Sequence, residues 1–104
     1  MRGLIYGKTL KSAQLKLQHI INDYEFYKIA TAEKIRPNEV IFSNGDYWCA
    51  FGYSESNIRG RKCNIVYIDA AITDTDALCD IECTVTAPPF QAIHYYTNIM
   101  DRND

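Results

Sequence analysis

Hydrophobic and polar positions change period several times along the chain. Gly3 to Tyr6 form a short apolar run closed by Gly7, which predicts a brief buried strand. Thr9 then caps a helix: Ala13, Leu17, Ile20, Ile21 and Tyr24 recur at three- and four-residue spacing, while Lys11, Lys16 and Asn22 fall off that stripe. From Tyr27 to Ile35 the helical period is lost and a strand is predicted. Arg36-Pro37-Asn38 ends it, because proline has no N–H to give to a ladder.

"EVIFSNGDYWCAF" reads as a hairpin. Val40 to Phe42 and Tyr47 to Phe51 flank Asn44-Gly45, the pair that best tolerates the positive φ angles of a tight turn. The polar segment Gly52 to Lys62 is a loop, and Cys63 to Asp69 is a strand. Thr73 or Asp74 caps a second helix carrying Leu78, Ile81, Cys83 and Val85, weakened at its end by Thr84, Val85 and Thr86 and stopped by Pro88-Pro89. Ala92 to Tyr96 is a last strand before a polar tail. Two strand–helix–strand crossovers and a hairpin predict an α/β fold, a single small domain over residues 1–97 with a mixed sheet and two main helices, followed by a tail over 98–104.

The chain has 104 residues, 47% of them hydrophobic, which suits one domain with a modest core and leaves no room for a second catalytic unit. Its formal charge of −2 argues against a surface that grips nucleic acid everywhere, although a local basic patch is compatible with it. No apolar run approaches the roughly 20 residues that span a bilayer, and no signal peptide is recognisable. A cytoplasmic, non-membrane protein is expected. Cys49, Cys63, Cys79 and Cys83 each fall in a regular element, which predicts reduced, buried thiols. Because Cys79 and Cys83 lack a second close pair, no zinc site is expected.

Asp69, at the end of a central strand, is the best single candidate for a site, since open α/β sheets place ligands there. The alternative is that it caps the following turn. Arg59, Arg61 and Lys62 surround Gly60, with Ser56 and Asn57 nearby, and could hold a phosphate or carboxylate. Tyr47, Trp48, Phe51 and Tyr53 form an aromatic cluster suited to core packing, an oligomer interface or base stacking; alternation puts Trp48 and Ala50 on one face and Tyr47, Cys49 and Phe51 on the other. His19 and His94 have no nucleophile beside them in the pattern and read as structural. "GKT" at Gly7-Lys8-Thr9 lacks the preceding glycine-rich loop of a phosphate-binding motif and is rejected as one.

In their order these pieces resemble the ATPase core of phage large terminases and related P-loop motor proteins. "GLIYGKTLKSAQLKL" looks like the strand and helix after the phosphate loop, "VIFSNGDYWCAF" like the following hairpin, "SESNIRGRKCN" like the serine and Arg-Gly loop, and "IVYID" like the Walker B strand. The resemblance spans roughly residues 3 to 97. It implies that the phosphate loop and its lysine lie upstream of the segment matched here, and that a nuclease domain belongs elsewhere. It also implies that Asp69 matches the magnesium-holding aspartate, whereas Ala70 stands where the family has the glutamate that activates water.

The expectation is therefore an inactive remnant of an ATPase fold without a cofactor or metal: a phage or prophage accessory protein in the host cytoplasm. Its partner would be a packaging or replication ATPase or a host defence factor. Sheet edges left open by a missing strand imply a homo-oligomer. The competing expectation is a nucleic-acid or nucleotide-binding module using the Arg59 to Lys62 loop, and a more distant one is a metal-dependent phosphohydrolase using Asp69.

Overall fold

The computed structural model describes residues 1–54 and 58–96. At its centre lies β1 (Arg2–Gly7), buried from Gly3 onward and paired in parallel on both edges, to β4 (Tyr47–Gly52) and β5 (Ile65–Asp69). An apolar run with no alternation has this outcome, because both faces of such a strand must be covered. The six-stranded sheet has the order β2-β3-β4-β1-β5-β6, with β2 (Ala32–Arg36), β3 (Glu39–Phe42) and β6 (Gln91–Tyr95) completing it. An α/β fold with a mixed sheet is what the patterning implied.

One helix packs on each face. α1 (Leu10–Phe26) lays Ala13, Leu17, Ile20 and Tyr24 against Ile5, Val40, Phe42, Trp48 and Ala50. α2 (Thr75–Glu82) brings Ala77 and Ile81 to the opposite face, against Val66 and Ile68. Each such fully buried aliphatic contributes about 1.5–3 kcal/mol relative to leaving it in water. Thr9 is the N-cap of α1, its side chain accepting from the Ser12 N–H, and Asp74 is the N-cap of α2, accepting from Asp76 and Ala77. The choice between Thr73 and Asp74 thus falls to Asp74, whose short carboxylate also suits the positive end of the helix.

Several expected boundaries move. The predicted strand Tyr27 to Ile35 begins at Ala32 instead: α1 runs to Phe26, Tyr27 caps it, and Lys28 at φ 54 turns the chain. Cys63 and Asn64 precede β5 rather than opening it, and Cys63 makes an isolated bridge to Val85. α2 stops at Glu82, so Cys83 is its cap and Val85 lies beyond it, in keeping with the β-branched run that follows. The first crossover also differs from the simple form. After α1 the chain goes to the far edge, β2, and returns through antiparallel β3 and β4, so β1's parallel neighbour is β4 rather than β2.

Two glycines decide local geometry. Gly45 at φ 91 makes the hairpin turn that Asn44-Gly45 predicted. Gly3 lies under the Trp48 ring, where an added Cβ would come within 2.1 Å of Cε3. Cys49 and Cys63 are buried, but Cys79 on α2 and Cys83 at its C-cap are exposed, correcting the expectation that all four are internal. They lie off the stripe that Ala77 and Ile81 present to the sheet. The residue 98–104 tail and the Ser56 and Asn57 positions fall outside the described residues.

Candidate functional site

The C-terminal ends of β1 and β5 meet the first turn of α1, and Asp69 sits at their junction, 2% exposed. Its Oδ2 accepts from the Lys8 N–H at 2.9 Å and the Ser12 hydroxyl at 2.6 Å, and its Oδ1 accepts from the Ala71 N–H at 3.0 Å. Since the single Ser12 proton goes to Asp69, the Tyr95 hydroxyl, 3.3 Å from Ser12 Oγ, is the donor of that pair. Burial foremost, opposed by the Ser12 bond and aided by the nearby Asp69 carboxylate, holds the Tyr95 phenol well above its ordinary range. Asp69 thereby ties the end of β5 to the β1–α1 turn and to β6. All three donors come from the protein, and the carboxylate they hold is buried.

The three predicted cations do not form one cluster. Gly60, at φ 89, reverses the chain between the two arginines. Arg59 turns toward α2 and meets Asp80 at 3.4 Å with its side chain 83% exposed, an ion pair of little energetic consequence. Arg61 turns the other way, its guanidinium 4.0 Å from the centroid of the Phe51 ring. Lys62 is exposed beside them.

The aromatic cluster separates by face, as alternation required. Trp48 points under α1, 3% exposed, and donates its Nε1–H to the Tyr24 hydroxyl at 3.2 Å, so it is core and not part of a contact surface. Tyr47 and Phe51 are half-buried on the opposite face. Arg2 lies 5.4 Å over the Tyr47 ring, Tyr6 stacks on Phe51 at 5.4 Å, and the Tyr47 hydroxyl donates to Glu39 at 3.0 Å. Tyr53 follows β4, with Lys8 Nζ 5.6 Å above its ring. α2 covers the β5 side of this face and leaves the β2–β4 side open. A groove of about 470 Å³ runs there past Arg2, Glu39, Tyr47, Phe51 and Arg61.

The two edges of the sheet differ. β2 carries Glu33, Lys34 and Arg36, is irregular between Ala32 and Lys34, and is followed by Pro37, all features that discourage another strand. β6, "QAIHY", has no Lys, Arg, Asp or Glu, no proline and an unbroken register with β5. Gln91 N–H bonds to Asn64 C=O and Tyr95 C=O to Ala70 N–H, so by alternation Ala92 and His94 turn their backbone groups away from β5. Phe90, Ile93 and Tyr96 are exposed along this edge, Tyr96 by 85%.

Pattern reading did not single out Ser12, Tyr95 or the β6 edge. Ser12 carried a usable signal, since it lies on the line of Ile20 and Tyr24 along α1 and is buried with them. Among the described residues no three His, Cys, Asp or Glu side chains are grouped to hold a metal ion, and no described helix is long and apolar enough to cross a membrane. No protein-family model matches the chain, and no curated protein matches its sequence.

Proposed function

We propose that the chain is a non-catalytic binding module, a phage or prophage accessory protein whose protein partner adds a strand to β6. The observation that carries this reading is the edge asymmetry: β2 is blunted by charge, irregularity and proline, whereas β6 offers the outward N–H and C=O groups of Ala92 and His94 on a strand without Lys, Arg, Asp or Glu. Strand addition uses such groups for affinity and the alternate side chains for specificity. Phe90, Ile93 and Tyr96 supply apolar surface beside them. The resemblance to terminase ATPase cores favours a packaging or replication ATPase, or a host factor that acts on one, as the partner.

Two features support a role without hydrolysis. Ala70 follows Asp69 where the resembled family has its water-activating carboxylate, and Asp69 is held by Lys8, Ser12 and Ala71. The test is affinity capture from an infected or lysogenic host with the native chain and with Ala92→Pro. Proline at this edge position removes one outward N–H and leaves the β5 ladder in place. The native chain should retain a stoichiometric protein that Ala92→Pro loses; retention of the same protein by both would refute the strand-addition role.

A further inference from the structure

The open half of the sheet face opposite α1 concentrates positive charge in a chain whose formal net charge is −2. Register places Lys34 and Arg36 of β2, Glu39 and Ile41 of β3, Tyr47 and Phe51 of β4, and Arg2 of β1 on this side, and Arg61 folds onto it from the loop. Among these residues four are cations and one is a carboxylate. Glu39 is already engaged by Arg36 at 3.7 Å and by the Tyr47 hydroxyl. Acidic residues gather instead on α2, where Asp76, Asp80 and Glu82 follow the Asp74 cap with no Lys or Arg between Thr75 and Glu82. α2 covers the β5 half of the same face, so attraction for an anion is confined to the β2–β4 half.

The aromatic rings interleave with that charge. Tyr47 and Phe51, on one side of β4, lie about 13 Å apart along the strand. Each carries a guanidinium against its ring, Arg2 at 5.4 Å and Arg61 at 4.0 Å, and the groove of about 470 Å³ runs between them. Nucleobases stack on aromatic rings and on arginine planes, while phosphates follow the flanking cations. A duplex hides its base faces inside the helix and offers mostly phosphates to such a sheet.

We infer that this face binds single-stranded nucleic acid, with one base at the Tyr47 ring, another on the Arg61 guanidinium that covers Phe51, and backbone phosphates at Arg2, Lys34, Arg36 and the edge of Arg61. It lies on a different part of the molecule from the β6 edge and does not depend on strand addition.

The probe is fluorescein-labelled oligo-dT, oligo-rU and a mixed-sequence duplex, each of about 12 nucleotides, read by fluorescence anisotropy. Both single strands should bind more tightly than the duplex, and the tighter of the two identifies the sugar preferred. Raising salt from about 50 to about 200 mM should weaken binding about 20- to 50-fold, the slope expected for three or four neutralised phosphates on a single strand. Arg36→Glu with Arg61→Ala should flatten that slope, and Tyr47→Leu, which keeps apolar volume, should weaken binding about tenfold with little change in slope. Ala92→Pro should bind as the native chain does, so failure at either face is separable from failure at the other. Circular dichroism melts confirm that each variant is folded. Absent binding, duplex preference, or unchanged affinity in folded Arg36→Glu/Arg61→Ala or folded Tyr47→Leu would overturn the inference.

Discussion

Ser12 on the first turn of α1 donates its hydroxyl to Asp69 at the end of β5 across 2.6 Å, and both side chains are buried. This contact joins segments 57 residues apart in sequence. It converts the most site-like carboxylate in the chain into a structural tie.

Removing that tie should destabilise the fold. Asp69→Ala leaves the buried Ser12 hydroxyl and the partly buried Lys8 and Ala71 N–H groups without their acceptor, and an unsatisfied buried donor costs about 1–3 kcal/mol, partly buried ones less. A loss of about 3 kcal/mol or more is expected from urea unfolding, with Ser12→Ala costing about half as much. A role for Asp69 in chemistry alone would leave the unfolding midpoint unmoved.

Gly3→Ala should be among the most damaging small substitutions. The added Cβ would meet Trp48 ring atoms at 2.1 to 2.5 Å, and Trp48 is fixed between α1 and the sheet by its bond to Tyr24. Overpacking of this kind costs about 1–3 kcal/mol and often more where neither side can shift. Replacing Trp48 with a smaller apolar residue in the same chain should restore part of the loss, which a simple strand-propensity effect would not allow.

Stability should fall at both pH extremes, through a shared pair. Burial works against the Asp46 carboxylate, but hydrogen bonds from Tyr24, the N-terminal amine and Asn44 outweigh it and hold the group below its ordinary 3.8. Its contribution is therefore present above pH 3.8 and is lost as pH falls through the lowered folded value. Burial first, then the Asp46 bond, pushes Tyr24 from 10.0 up to about 12, so its contribution is full below pH 10.0 and is lost as pH rises toward 12. Burial pushes Tyr6 up to about 12 as well, adding to the loss over the same window. Thermal melts of Tyr24→Phe should show a shallower decline on both sides; identical pH profiles for the variant and the native chain would refute this coupling.

Local chemistry was legible wherever one segment decided it. The Leu17–Ile20–Tyr24 stripe, the Asn44-Gly45 turn, and the division of Trp48 from Tyr47 and Phe51 by face all follow from period and turn residues alone. What the pattern concealed depends on strand order. No local signal says that β2 lies at the far edge, that β4 rather than β2 pairs with β1, or that β6 ends the sheet. For the same reason three nearby cations read as one patch, although Gly60 sends Arg59 to α2 and Arg61 to Phe51. The open basic face became visible once Arg2, Arg36 and Arg61, distant in sequence, were placed by the sheet.

Charging the open edge should disable it without harming the core. Ile93 is 37% exposed on β6, so Ile93→Lys places a cation beside the groups that a partner strand would pair with. The melting temperature should change little, while partner retention falls at least about tenfold, measured by quantitative affinity capture. Undiminished capture would count against β6 as the docking edge.

Backbone hydrogen exchange along β6 reads the docking edge residue by residue. In the isolated chain the outward amides of Ala92 and His94 should exchange rapidly, while those of Gln91, Ile93 and Tyr95, facing β5, are protected. In the complex captured from the host, a strand added to the edge should protect Ala92 and His94 as strongly as their neighbours. Exchange at Ala92 and His94 that is equally fast with and without the partner would show that no strand is added at β6.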